Sequence, residues 1–153
     1  MNEHRYWIGV VTRDQVEEAR AGGYAELNHG KAGALERMQP GDGLALYSPR
    51  DTADAREPLQ AFTAIGRVAE GRVYAASGSS AEGGVGRYRR EVVYVAAHAA
   101  PIRPMIHMLG FIRSKQHWGA AFRFGVARVP PADFARIASA MGCDPEREFG
   151  IVP

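Results

Sequence analysis

Hydrophobic and polar positions change period several times along the chain, and each change marks an element. Residues 6–11 run Tyr-Trp-Ile-Gly-Val-Val, an apolar block that predicts a first strand buried on both faces. Thr12-Arg13-Asp14-Gln15 has the spacing of a capping box, with Thr12 accepting from the third helical amide and Gln15 reaching back. The helix it opens extends to about Ala21 and stops at Gly22-Gly23. Tyr24 to Leu27 is a short extended piece. The stretch from Asn28 to Pro49 then reads as one unit. A polar turn, Asn28-His29-Gly30-Lys31, opens a short helix with Ala32, Leu35 and Met38 on one face. Pro40-Gly41-Asp42 stops it, and a strand follows with Leu44 and Leu46 on one face and Ala45 and Tyr47 on the other.

Arg50 to Pro58 is a polar loop. Leu59 to Ala69 is a strand carrying Phe62 and Ile65, with Gly66 marking a bulge, and Val73-Tyr74 ends a hairpin. Ala75 to Gly86 is rich in Gly and Ser and reads as a mobile loop. Tyr88 to Ala97 is a long strand, Pro104 opens a short helix over Met105 to Leu109, and Phe122 to Val129 is the last strand. Pro131 starts a final helix whose buried stripe is Phe134, Ile137, Ala138 and Met141, with Gly142 as its stop. Strands outnumber crossover helices, and short loops between them favour antiparallel pairing. The expected class is α+β: a mixed, strongly curved sheet closing into a small barrel, with short helices packed at its ends and one domain over residues 1–153.

Composition narrows the function. Apolar residues make up 46% and charged residues 24%, which is globular and not disordered. A net charge of +2 and a pI near 8.9 permit a nucleic-acid partner without requiring one. Cys143 is the single cysteine, so no internal disulfide forms, and no Cys/His set has zinc spacing. The start of the chain does not read as a signal peptide, and no apolar stretch has the length of a membrane span. The expectation is a cytoplasmic protein with no metal, cofactor or membrane partner, its oligomeric state open. Catalysis is not expected either. There is no Gly-x-Ser-x-Gly elbow, Cys143 stands among acids that disfavour a thiolate, and Glu17-Glu18 point different ways on a helix.

Several residues have two readings each. Trp118, between Lys115 and Arg123, is a base-stacking platform or a packed core ring. Tyr24 and Tyr47 wall a pocket or sit half-buried on strands. Asn28 offers a paired amide to a base edge or caps its own turn. His29 bonds a base or a carbonyl. Lys31 meets phosphate or solvent. Ser48 ends the central strand beside Tyr47. Arg87, Arg89, Arg113 and Lys115 form a phosphate-tracking rim or a solvated face.

Arg5-Tyr6-Trp7-Ile8, the run Gly30-Lys31-Ala32…Leu35…Met38-Gln39-Pro40-Gly41-Asp42, Tyr47-Ser48-Pro49 and Trp118-Gly119…Phe122-Arg123-Phe124-Gly125 together resemble the EVE domain, of the PUA-like superfamily alongside ASCH and YTH domains. The resemblance covers Tyr6 to Met141 and implies a small PUA-like barrel that holds a modified base of nucleic acid in a pocket; the expectation is DNA ahead of RNA. It places Thr12 beside that pocket, adds Arg123, and lifts Trp118 toward the stacking reading. The chain departs where such relatives carry a cage Trp just before the second helix: it has Tyr24 followed by Ala25. The expected base pocket is therefore Thr12, Tyr24, Asn28, His29, Lys31, Tyr47, Ser48, Trp118 and Arg123. A small-molecule or nucleotide-metabolite sensor using the same cleft is the alternative, and a hydrolase a third.

Overall fold

The computed structural model describes residues 4–76 and 86–152. Eight strands form a mixed sheet: β1 (Tyr6–Val10), β2 (Tyr24–Ala25), β3 (Gly43–Ser48), β4 (Ala61–Val68), β5 (Tyr74–Ala75), β6 (Tyr88–Tyr94), β7 (Ala100–Pro101) and β8 (Val126–Val129). Among the described residues they are accompanied by the α-helices α1 (Arg13–Gly22), α2 (Gly33–Arg37), α3 (Pro131–Ala140) and α4 (Pro145–Phe149). The main path is β2-β6-β4-β3-β1-β8, with β5 on β6 and β7 on β4. Only β1 and β3 run parallel among the described pairs; every other one is antiparallel.

The class and the mixed pairing are those expected, but the ring of strands is not closed. β2 is two residues long, because Asn28 and His29 soon turn into left-handed backbone at φ 51 and 58 and cannot continue a ladder. The two edges meet instead through a side chain: Asn28 packs its Oδ1 over Gly125, the residue before β8.

Alternation along β1 and β3 divides the core. Tyr6, Ile8, Ala45 and Tyr47 face α3 and α4, where Phe134, Ile137 and Phe149 pack. Trp7, Leu44 and Leu46 face α1 and α2, meeting Val16, Leu27, Leu35 and Met38. The Pro-Gly-Asp stop supplies the pin between these layers. Asp42 is fully buried and accepts from Arg5 N, Trp7 Nε1 and Gln39 N at 3.0, 3.0 and 2.9 Å, which satisfies a carboxylate that would otherwise be costly inside.

Three local expectations are corrected. Thr12 makes no capping box; its hydroxyl donates to Asp14 Oδ1 at 2.6 Å, and the Gln15 amide takes the same oxygen at 2.8 Å. Gly66 is not the bulge; it is a close approach, where a Cβ would lie 2.5 Å from the Val93 carbonyl oxygen. The register shift falls between Leu46 and Tyr47, leaving Thr63 unpaired in β4. Residues 118–122 form a 3-10 turn, so the last strand starts only at Val126, and α4 was not anticipated. Most of the expected Gly/Ser loop, residues 77–85, lies outside the described residues.

Candidate nucleic-acid interface

The bulge in β4 decides what the end of β3 presents. Because Thr63 is skipped, its hydroxyl meets Ser48 Oγ at 2.7 Å and Ser48 is turned inward, fully buried. Tyr47 faces the other way, into a group of rings. Its ring stacks on Phe122 with centroids 4.4 Å apart and planes 13° apart. Trp118 and Phe62 meet it edge-on at 6.5 and 5.5 Å, and Phe111 closes on Phe122 at 5.9 Å. Trp118 and Phe122 come from the 3-10 turn after His117, whose return to the sheet is fixed by Val10 N donating to Gly125 O at 2.8 Å. Trp118 is only half-buried.

Tyr47 is 3% exposed, yet its hydroxyl has no hydrogen-bond partner among the described residues. Burial pushes its pKa up to about 12, with the nearby Arg103 guanidinium pulling weakly the other way, so it is an un-ionised O–H at neutral pH. Arg103 stands over Trp118, its Cζ 5.5 Å from the ring centre, in cation–π range. Gln60 holds it there, accepting from Arg103 Nε at 2.8 Å. Gln60 is itself strained at φ 56 and fixed by its amide and that of Leu59 donating to Pro49 O. A neutral donor–acceptor, a guanidinium and an aromatic face therefore converge at one end of the sheet.

Of the residues expected in the pocket, Tyr47 and Trp118 are brought together here. Asn28 contacts Gly125, three residues after Phe122, and Arg123 follows the 118–122 turn as an exposed residue. The 28–31 turn is not a helix N-terminus as expected. Asn28, His29 and Gly30 are all left-handed, Lys31 is extended, and α2 starts only at Gly33. His29 and Lys31 are exposed on it. Ser48 faces inward and Thr12 is occupied with Asp14.

Tyr24 belongs to a different cluster. Arg89 lies over its ring at 3.9 Å, and Glu26 accepts from both Arg89 and Arg87. Arg87 is held strongly protonated by that hydrogen bond and ion pair. Lys115 is not a rim cation: its ammonium donates to the carbonyls of Ile106, Leu109 and Ile112 at 3.0, 2.9 and 2.8 Å, which occupies all three N–H groups and leaves none for phosphate. Arg113 is exposed and has no carboxylate partner among the described residues. Gln60 and Thr63 carry no signal in the sequence pattern, and Phe122, part of the run that resembles the EVE domain, lies on a 3-10 turn where the pattern predicts a strand. Among the described residues no group of three or more His, Cys, Asp or Glu is placed to hold a metal, and no helix is long and apolar enough to cross a membrane.

The EVE domain profile matches residues 5–140. The chain belongs to the EVE domain family. A UPF0310 protein of Mesorhizobium japonicum is 42% identical over 137 residues, covering 90% of this chain and 91% of the relative. The fold is shared with a crystal structure from Agrobacterium tumefaciens, at TM-score 0.59 and 15% identity over 91% of this chain and 94% of that one. It is shared also with the YTH domain of the Zygosaccharomyces rouxii MRB1 protein in complex with N6-methyladenosine RNA, at TM-score 0.56 and 12% identity over 91% and 87% of the two chains. These two likenesses extend to the fold alone.

Proposed function

We propose that this EVE domain protein is a non-catalytic reader that takes a modified base of nucleic acid against the face formed by Tyr47, Phe122 and Trp118. The observation that carries the reading is the Tyr47 hydroxyl, which tops a ring otherwise packed away and has no partner among the described residues, set beside a half-open indole and a guanidinium. An unpaired polar group at the floor of an aromatic site supplies orientation, and the rings supply stacking worth about 1–3 kcal/mol per base. A base reaches such a site only from a single strand or by leaving the duplex stack. Arg103 provides a cation beside it, and Arg123 follows Phe122 in the chain; no carboxylate neutralises either among the described residues. The fold shared with a YTH domain holding methylated RNA puts RNA beside the DNA that the sequence reading favours.

The test is a binding screen at fixed salt with methylated and hydroxymethylated DNA and modified RNA oligonucleotides, each against its unmodified twin. The expected result is tighter binding of one modified strand, weakening steeply as salt rises. Binding of a neutral nucleoside or metabolite with no preference for a polymer and no salt dependence would favour the sensor reading and sink this one.

A further inference from the structure

A cleft of about 530 Å³ lies away from the aromatic cluster, with two arginines, a glutamate and a tyrosine among its lining residues. It is lined by Ala32, Glu36, Gly71, Arg72, Tyr88 and Arg90, with Val73 at its edge. Arg90 is 7% exposed, and no carboxylate pairs with it among the described residues. Its Nη1 donates to Leu35 O and Met38 O at 2.9 and 2.6 Å, and its Nη2 to Gly71 O at 3.2 Å. Nε has no partner among the described residues and is shielded from solvent. Of the five N–H donors of a guanidinium, two are thus unused, Nε–H and one on Nη2. A buried cation without a counter-charge is costly, and so is a buried donor without an acceptor. The carbonyls at the end of α2 offset part of that cost, but they bring no net charge.

We propose that this cleft holds one phosphodiester of the bound strand, with Arg90 and Arg72 as its cations and Tyr88 as the stacking face for the attached base. The proposal rests on the nucleic-acid reading of the aromatic site. Arg72 is exposed and pairs with no acid among the described residues, and Tyr88 is 39% exposed. Glu36 is the one carboxylate in the lining, so the cleft carries two positive charges against one negative. That balance suits a singly charged diester, and an exposed aromatic beside it suits a nucleotide unit. The Gly71 carbonyl is the longest of the three contacts to Arg90 and lies on an exposed turn, so an anionic oxygen entering the cleft displaces it most easily. Asn28, which touches Gly125, and Ala32 of the cleft are four residues apart, at most about 14 Å, while the register sets Tyr47 at the start of β4 and Arg90 beyond its end, so the strand must run along the sheet to meet both.

The experiment uses the whole chain and three probes: inorganic phosphate, the modified nucleoside, and a single-stranded oligonucleotide of about 12 nucleotides carrying it. The Arg90 Nε–H resonance is followed by NMR, and affinity is measured against salt for wild type, Arg72→Ala and Tyr88→Ala, which alter exposed side chains. The oligonucleotide and, at higher concentration, phosphate should shift the Arg90 signal, and the nucleoside should not. Arg72→Ala should weaken the oligonucleotide about 3- to 10-fold at low salt and lower the salt slope by about 0.7, with nucleoside binding unchanged. An oligonucleotide that binds wild type and both variants alike, with the Arg90 signal unmoved, overturns the subsite and leaves the aromatic reader standing. Failure of every oligonucleotide to bind removes both, and a phosphate shift would then mark an adventitious ion only.

Discussion

Two places among the described residues set an arginine over an aromatic ring, and they differ in one carboxylate. Arg89 lies over Tyr24 with Glu26 bonded to it and to Arg87, so a pair of cations is half neutralised and its geometry locked. Arg103 lies over Trp118 with only the neutral amide of Gln60 to hold it. The same cation–π motif is therefore closed in one place and open in the other. At Tyr24 the ring face is spent on an internal partner and the charge on an internal acid. At Trp118 the guanidinium keeps its full charge, and the ring beside it borders a tyrosine hydroxyl with nothing to bond among the described residues. A cluster counts as a binding face by what its own neighbours leave unused, and residue type alone does not separate the two.

The largest test of that contrast is to delete each ring. Trp118→Ala should weaken modified-strand binding by roughly five- to more than a hundredfold, the loss of about 1–3 kcal/mol of stacking. Tyr24→Ala should leave affinity within about twofold, since its face is already covered by Arg89. Trp118→Phe keeps a π-face and should retain much of the affinity. Denaturant midpoints on the same variants guard the conclusion. If Trp118→Ala instead costs about 3–5 kcal/mol of stability while the folded fraction binds as wild type, the indole is core and the open cluster is no site.

The fold was legible where burial imposes a period. β1, β3 and α3 follow from apolar runs that only a two-sided strand or a helical stripe can bury. The site was legible only in its rings. Tyr47 and Trp118 come together as the resemblance implied, but the charges around them could not be read locally. Whether Arg89 or Arg103 is free depends on Glu26, more than sixty residues from Arg89 in sequence, and on Gln60, 43 residues from Arg103. Lys115 has the spacing of a rim cation, but the carbonyls of Ile106, Leu109 and Ile112, three to nine residues before it, surround its ammonium. The bulge that turns Ser48 inward leaves no mark in composition, because Thr63 is an ordinary strand residue.

Opening the closed cluster is the next test. Glu26→Gln removes the acid shared by Arg87 and Arg89 and should raise oligonucleotide affinity at low salt by about two- to fivefold, with the salt slope steeper by up to about 1.4 if both arginines then reach phosphate. Both pairs are partly solvated, so the stability lost should be small, about 0.5–1 kcal/mol. Unchanged affinity and slope would place this cluster outside the path of the strand. Lys115→Met sharpens the same point from the other side. It should cost about 1–2 kcal/mol of stability through the lost carbonyl bonds, measured as a lower melting temperature, and leave the salt slope of binding as it was. A shallower slope would return Lys115 to the rim.

The smallest effect isolates one oxygen. Tyr47→Phe removes a hydroxyl that bonds no described residue, so stability at pH 7 should change by less than about 0.5 kcal/mol. If the hydroxyl reads the base, affinity should still fall about 2- to 10-fold, the worth of one hydrogen bond, and the fall should be larger for the modified strand than for its unmodified twin. The pH dependence checks the protonation state. The folded pKa of Tyr47 is raised to about 12 from an ordinary 10.0, so the un-ionised form is favoured by folding. Its contribution to stability is fully present below pH 10 and is lost as pH rises toward about 12, because the unfolded chain ionises first. The wild-type minus Tyr47→Phe ultraviolet titration should show one phenolate appearing near the upper value, and the Tyr47-dependent part of binding should hold steady up to about pH 10. A phenolate appearing near 10 in the free protein would mean that the ring is solvated, and the hydroxyl could not then act as a desolvated donor at the floor of the site.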